Sequence, residues 1–363
     1  MRRLLYMNHG RGDVKIGNAK LSICIATYNR GSFIGETLDS ILTQIEPGVE
    51  LVVVDGASPD NTPEVMKQYL SRYPEILYYR EEKNSGVDGD YDKAIGYAKG
   101  EYCWLMSDDD LLKPGAVLNV LSAIAGSNDL VVVNSEIWNA TFSERLLDRR
   151  LNITGDIEYG EKDRESFFID TANQLGFIGC VVIRRNFWLS RDRASFYGTL
   201  FIHVGVIFQH SAIENVKVIA EPLIAIRAGN ATWSARTFEI WAIKWPELIW
   251  SFPVFSDTAK QAVCLREQWR RFKFLFSHRA MGTYSLTEFH EHLSSKTKGL
   301  ARAKAYVAGA IPGKVANLIV VFYYLLFKRS SRLALYDILC SRYATWPSRL
   351  FARILGMKVC REK

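Results

Sequence analysis

The chain is short of the features that define several large protein classes. Its 363 residues include six cysteines (Cys24, Cys103, Cys180, Cys264, Cys340 and Cys360), far apart and never in a CxxC pair. That spacing excludes a zinc ribbon. It points instead to a reduced, cytosolic compartment, with Cys24 and Cys103 as buried, inert thiols inside apolar runs. No apolar run reaches the ~20 residues a membrane-spanning helix needs. At the N-terminus, Arg2 and Arg3 are followed by only Leu4-Leu5-Tyr6-Met7 before polar residues begin. This is too short for the apolar core of a signal peptide, so residues 1–19 read as a loose leader. The signatures of other nucleotide and hydrolase sites are missing too. TYNRGSF stands where a dinucleotide site needs GxGxxG, Gly313-Lys314 is followed by Val315 rather than Ser or Thr, and HExxH and GxSxG are absent. Repeats and low-complexity segments are lacking, and a 48% hydrophobic, 23% charged composition excludes disorder.

The net charge of +7 is unevenly placed. From Lys298 onward lie 13 of the 46 Lys and Arg but only two of the 39 Asp and Glu, leaving residues 1–297 with 33 basic and 37 acidic side chains. The front is therefore a slightly acidic domain, and the basic character belongs to the tail. A cationic tail suits an anionic surface, either membrane or nucleic acid.

Short apolar runs alternate with helical periodicity along the first third. Strands are expected at residues 21–26, 50–55, 76–80, 102–106 and 130–134, and helices at 33–44, 61–72, 91–99 and 114–125. This alternation predicts an α/β fold: a mostly parallel, Rossmann-like sheet with helices on both faces. Continuous apolar strands such as Val52-Val53-Val54 fit a sheet covered on both sides. Beyond Asn139 the alternation weakens, with a strand at 176–183 and a short helix at 187–191. From Arg236 the pattern is helical, broken near Pro253, Ser285, Gly299 and Pro312. The expected organisation is a leader (1–19), an α/β domain (20–235, split into halves at 135 and 136) and a helical, basic region (236–363).

Ligands of open parallel sheets bind beyond the carboxyl ends of the strands, and the polar residues collect there. Strand one ends in Thr27-Tyr28-Asn29-Arg30, strand two in Asp55-Gly56-Ala57-Ser58-Pro59-Asp60 and strand four in Ser107-Asp108-Asp109-Asp110, while Asn84–Asp90 is a Gly-rich loop. Asp55-Gly56 alone could be a turn, Asp60 with Asn61 a helix cap, and Asp110 a cap for the helix near Pro114. Three adjacent carboxylates after an apolar strand repel one another unless a cation relieves them. Mg²⁺ or Mn²⁺ held by one or two carboxylates plus substrate phosphates would do so.

The blocks LSICIATYNRGSFIGETLDSIL, ELVVVDGASPDNT and NSGVDGDYDKAIGYAKGEYCWLMSDDD, in this order, resemble glycosyltransferase family 2, with its GT-A fold, and within it the bacterial O-antigen abequosyltransferase-like group. The resemblance covers about residues 20–135. It implies that Thr27, Tyr28 and Arg30 line the nucleotide base pocket and that Asp55 bonds the base or ribose. Asp88 and Lys93 would contact nucleotide or phosphate, Asp108 and Asp109 would lie on the donor, and Asp110 with Asp108 would hold a divalent Mn²⁺ or Mg²⁺. Members of the family usually carry a Glu-Asp pair at the catalytic base; residues 198–205 lack it. His203 is the polar residue on offer there, as base or further metal ligand, or as a hydrogen-bonded histidine on an apolar helix. Asp192 and Glu214 are fallback bases. Trp233, Trp241 and Trp245 could stack on acceptor sugar rings or pack in the core.

The tail adds a partner. Residues 315–327 form a 13-residue apolar stretch flanked by Lys314, Lys328 and Arg329, too short to span and suited to lying in a membrane interface. Arg332, Arg342, Arg349 and Arg353 interleave with the apolar residues that follow, and aliphatics crowd the aromatics too heavily for a nucleic-acid stacking platform. The bland alternative is a helical bundle with a basic exterior. Together these readings imply an enzyme peripheral to the cytoplasmic face of a bacterial inner membrane. It would move a sugar from a nucleotide donor, CDP-abequose or a related dideoxyhexose, to mannose on a polyprenyl-diphosphate-linked oligosaccharide of O-antigen lipopolysaccharide. A UDP-hexose enzyme of the same family and a non-catalytic sugar-nucleotide-binding protein are the alternatives.

Overall fold

A computed structural model of the chain describes residues 19–126, 128–210, 213–230, 236–328 and 331–354. The first part alternates as its sequence pattern requires: β1 (Leu21–Thr27), α1 (Ile34–Leu42), β2 (Val49–Asp55), α2 (Thr62–Arg72), β3 (Leu77–Arg80), α3 (Gly86–Tyr97), β4 (Tyr102–Met106), β5 (Leu111–Leu112), α4 (Ala116–Ile124) and β6 (Leu130–Trp138). The short strands β7 (Arg145–Leu147) and β8 (Ile157–Tyr159) follow, then α5 (Arg164–Leu175), β9 (Val181–Arg184), α6 (Arg185–Ser190), α7 (Ile202–Phe208) and the long β10 (Val216–Arg227).

All of these strands join one sheet, ordered β3-β2-β1-β4-β9-β6-β10-β5, with β7 beside β6 and β8 beside β10. The half β3-β2-β1-β4 is parallel, in register from Leu21 against Val49 to Thr27 against Asp55. Near-complete burial of β1 and of the C-terminal part of β2 shows both faces covered. The second half departs from the expected parallel order. The strand β9 runs antiparallel between β4 and β6, and β10, which the sequence pattern did not reveal, pairs parallel with β6. The register of β10 slips around Pro222, as expected of a residue with no amide hydrogen for the ladder. The effect is to bring Arg227, far along the chain, to the edge where β4 ends.

The remaining helices are α8 (Trp245–Ser251), α9 (Asp257–Val263), α10 (Phe272–Met281), α11 (Leu286–Glu288), α12 (Gly299–Ala310), α13 (Gly313–Phe327), α14 (Arg332–Leu339) and α15 (Trp346–Ile354). The main core runs from Leu21 to Cys264 and includes Trp245, Ile249 and Phe255. Packing therefore joins Ile240, Trp245 and the buried apolar residues from Leu248 to Cys264 to the sheet's core. Two smaller cores follow, one around Phe238, Tyr284 and Ala305, the other around Val320, Leu335 and Ala352. Cys24, Cys103, Cys180 and Cys264 are free and buried.

Candidate active site

Two loops after parallel strands are clamped together by side chains placed for that purpose. Asp60 accepts the amide of Gly31 at 2.9 Å and the amide and hydroxyl of Thr62 at 3.1 and 2.6 Å. Ser58 accepts the Asn29 amide at 2.9 Å. The clamped loops contain two non-glycine residues in left-handed backbone, Asn29 at φ 60° and Ala57 at φ 63°, a conformation that costs ~1–3 kcal/mol and concentrates at ligand sites. Tyr28 is 45% exposed, while Thr27 is buried.

Asp55 turns inward rather than toward a ligand. It is fully buried, and its two oxygens accept the Ser58 amide and the Tyr78 hydroxyl, each at 2.7 Å. In this structure its carboxylate holds the loop after β2. A Cβ on Gly56 beside it would stand 2.5 Å from a carboxylate oxygen of Asp90, which would have to shift.

The stretch expected as a Gly-rich loop is mostly the opening of a helix, since α3 begins at Gly86. Asp88 and Asp90 thus lie in its first turns and are buried. Asp88 accepts the Leu200 amide at 2.8 Å and the Ile202 amide at 3.0 Å, tying the start of α7 to α3. Burial pushes its carboxyl upward against those hydrogen bonds. In this structure Asp88 thus serves as a tie between α3 and α7. Lys93 pairs with Glu81 at 2.7 Å and lies 3.8 Å from Asp90, with its side chain one-third exposed. Asp90, which the sequence reading passed over, accepts the Ser85 hydroxyl.

The three carboxylates after β4 converge with two arginines. Arg30, expected at the base pocket, is buried beneath them, 3.4 Å from Asp108 and 3.1 Å from Asp109, and donates to the Asn230 carbonyl at 3.1 Å. Asn230 in turn donates to Asp109 at 2.9 Å. Asp110 accepts the backbone amide of Arg227 at 2.7 Å and the Ser107 hydroxyl. The Arg227 guanidinium donates to the Asp109 carbonyl at 2.9 Å and to Glu36 at 2.6 Å. Four strand ends, those of β1, β2, β4 and β10, thus meet at one edge. Arg227, Asn230, Glu36 and Asp90 escaped sequence reading; the visible signal for the first two was Arg-Ala-Gly-Asn closing an apolar run.

Burial pushes the Asp108 carboxyl up to about 7, aided by repulsion from Asp109 and opposed by Arg30 and Thr27. Burial, then repulsion from Asp109, raises Asp110 further, and burial raises Asp109 against Arg30. Such a cluster holds more negative charge than its surroundings neutralise. Among the described residues no three His, Cys, Asp or Glu side chains form a metal cage of protein ligands alone. A hard divalent cation taking carboxylate oxygens from this cluster and the rest from substrate phosphates fits that donor set.

The expected base is not at this edge. His203 lies in the wholly buried α7, 1% exposed, and its Nε2 donates to the Leu175 carbonyl at 2.6 Å. Its Nδ1 has no partner, and burial pushes the imidazole down to about 4. This is the placement of a hydrogen-bonded core histidine, the other reading of the residue. Asp192 and Glu214 are exposed, with Asp192 accepting the Ser195 amide at 3.3 Å. Trp245 is core, and Trp241 is partly buried against it and Phe201, at 5.7 and 5.5 Å between ring centroids. Trp233 lies outside the described residues.

Comparison with known proteins bears on this geometry. Residues 22–192 match the model of Glycosyl transferase family 2. The chain is 24% identical over 294 residues to the abequosyltransferase RfbV of Salmonella typhimurium, covering 76% of this chain and 87% of that one. It is 35% identical over 102 residues to a poly(ribitol-phosphate) beta-glucosyltransferase of Bacillus spizizenii, 27% of this chain and 16% of that protein. Among solved structures, residues 1–349 of S. aureus TarS superpose with a TM-score of 0.52 at 16% identity, covering 87% and 90% of the two chains. The mannosyltransferase PcManGT of Pyrobaculum calidifontis, in complex with GDP-Man and Mn²⁺, superposes at 0.50 and 16% identity, covering 90% and 87%. At these identities the structural likeness establishes the fold, which is the GT-A-like arrangement of a mixed sheet followed by helices.

Proposed function

We propose that this glycosyltransferase, whose residues 22–192 match the model of Glycosyl transferase family 2, moves a dideoxyhexose such as abequose from a CDP-sugar to a mannose hydroxyl of a polyprenyl-diphosphate-linked oligosaccharide. The observation that carries the site is the meeting of Arg30, Arg227 and Asp108–Asp110 where four strands end. The donor choice rests on the relative named abequosyltransferase, whose similarity runs through most of both chains.

In this reading the exposed Tyr28 lies against the base, and Asp108 and Asp110 are the carboxylates that would hold Mn²⁺ or Mg²⁺. A bound divalent cation supplies positive charge to the departing diphosphate. Arg30 keeps Asp108 and Asp109 in place and lowers the cost of two buried carboxylates side by side. The Arg227 amide aims the Asp110 carboxyl, and the Arg227 guanidinium fastens the end of β10 to Glu36 of α1. Breaking the donor's bond at the sugar carbon leaves the electron pair on the diphosphate oxygen while the acceptor oxygen forms the new bond and its proton passes to solvent. Nucleotide sugars and a lipid-linked acceptor together put the enzyme at the cytoplasmic face of the membrane.

Calorimetric titration of CDP, UDP and GDP in the presence of Mn²⁺, into wild type and Asp110→Ala, tests this. Tightest binding of CDP, lost without metal and lost in the variant, is expected. Preference for UDP or GDP would remove the abequose assignment while keeping the glycosyltransferase. Absence of all nucleotide binding would favour a degenerate binding protein.

A further inference from the structure

The apolar character of residues 315–327 has two outlets in the fold. One side of α13 is core: Ala316, Asn317, Val320, Val321 and Leu325 are buried among α10, α14 and α15. The other side is bare. Val315, Ile319, Tyr323, Leu326 and Phe327 recur at helical spacing and are 50%, 52%, 40%, 67% and 71% exposed. Trp346, Leu350, Phe351 and Ile354 form the matching exposed face of α15, and the two faces adjoin where the Phe322 and Phe351 rings meet at 4.9 Å. An ordinary soluble surface scatters its apolar residues singly; a contiguous set of this size marks an interaction site.

The nature of the partner follows from charge and length. Lys314 and Lys328 stand exposed at the two ends of α13, and Arg353 stands exposed on α15. Residues 298–363 carry 13 cationic and two acidic side chains, so the apolar face is set in positive surroundings. Among the described residues no single helix is long and apolar enough to cross a membrane, and α12 and α13 meet at 95°. The 15 residues of α13 rise only ~22 Å, less than a hydrocarbon core of ~30 Å. A helix packed into protein along one side and bare along the other lies flat on a surface. We propose that this face of α13 and α15 docks on an anionic lipid surface, with Val315, Ile319, Leu326, Phe327, Trp346 and Ile354 entering the headgroup boundary and the flanking cations meeting lipid phosphates. The inference gives structural form to the membrane partner in the proposed reaction and rests on that reading only for its purpose.

The test uses the full chain and vesicles, without donor or acceptor. Wild type is expected to float with phosphatidylcholine vesicles containing phosphatidylglycerol, less with phosphatidylcholine alone, and less at high salt. The double substitution Leu326→Glu and Phe327→Glu, at two exposed positions, is expected to lower vesicle affinity at least ~10-fold through lost apolar burial and added negative charge. Its melting temperature and nucleotide binding should match wild type, which separates this outcome from failure of the enzymatic reading. Wild type that ignores anionic vesicles, or a double variant that floats equally well, overturns the proposal. So does a self-associated species, seen by light scattering, that the substitutions dissolve while vesicle binding stays intact: the face would then meet a second copy.

Discussion

Replacing His203 with leucine separates a catalytic histidine from a packed one. The imidazole is buried in α7, donates a single hydrogen bond to the Leu175 carbonyl and leaves Nδ1 without a partner. Leucine strands that carbonyl, at a cost of ~1–3 kcal/mol, but also removes an unsatisfied nitrogen whose burial cost is of the same kind. The net loss of stability at pH 7 is therefore expected near ~1 kcal/mol. A general base contributes ~10²–10⁴-fold, so a catalytic role would take that much from kcat, whereas the packed role leaves kcat and its pH profile within a small factor of wild type. The pH dependence of stability adds a second readout. The folded imidazole is held down to about 4 by burial, below an unfolded value of ~6.5. Its neutral form thus contributes stability that is complete above ~6.5 and is lost as pH falls toward 4. Over that window wild type gives up as much as ~3 kcal/mol that the leucine variant keeps, so the variant, weaker at pH 7, should become the more stable protein near pH 4.5. Urea denaturation at both pH values and steady-state kinetics from pH 6 to 8 check the argument. A hundredfold fall in kcat with unchanged stability would refute it.

Two further outcomes follow from the same site. The Asp108 carboxyl is pushed up to about 7, so its protonated form stabilises the fold below ~4 and that stability is lost as pH rises through 7; Asp108→Asn should remove this decline, seen as a melting temperature that exceeds wild type's at pH 7.5 by more than at pH 4.5. Asp88→Asn keeps the shape but turns an acceptor oxygen into a donor amide nitrogen facing a backbone amide of the α7 start. It is expected to cost ~1–3 kcal/mol and to speed hydrogen exchange at Leu200 and Ile202, and unchanged protection there would contradict the tie between α3 and α7.

The first part of the fold was legible because its signals are local. In the run 102–106 apolar side chains cover both faces of a strand, and the expected bounds coincide with β4. The acidic triplet after it was legible because adjacent carboxylates at a strand end carry their electrostatic cost in the sequence itself. The helix α3 was read five residues late, since its opening Gly86-Val87-Asp88-Gly89-Asp90 has loop propensities that tertiary hydrogen bonds to α7 override. The basic, apolar tail was also visible, as composition and spacing, although not which side of α13 would be bare.

What tertiary structure alone decided is where each polar group points. Nothing local to Asp55 says that Ser58 and Tyr78 will occupy its carboxylate. His203 looks like a base beside a missing Glu-Asp pair, and becomes a core residue only when α7 packs beneath Leu175. Arg227 stands far from Asp109 in the chain, and a parallel pairing of β10 with β6, slipped at Pro222, brings it across. Propensity and hydrophobic period act over a few residues and so are written in the order of the sequence. Burial, hydrogen-bond partners and the pooling of charge depend on contacts closed by the whole sheet, and these determine which of the polar residues are free to meet a substrate.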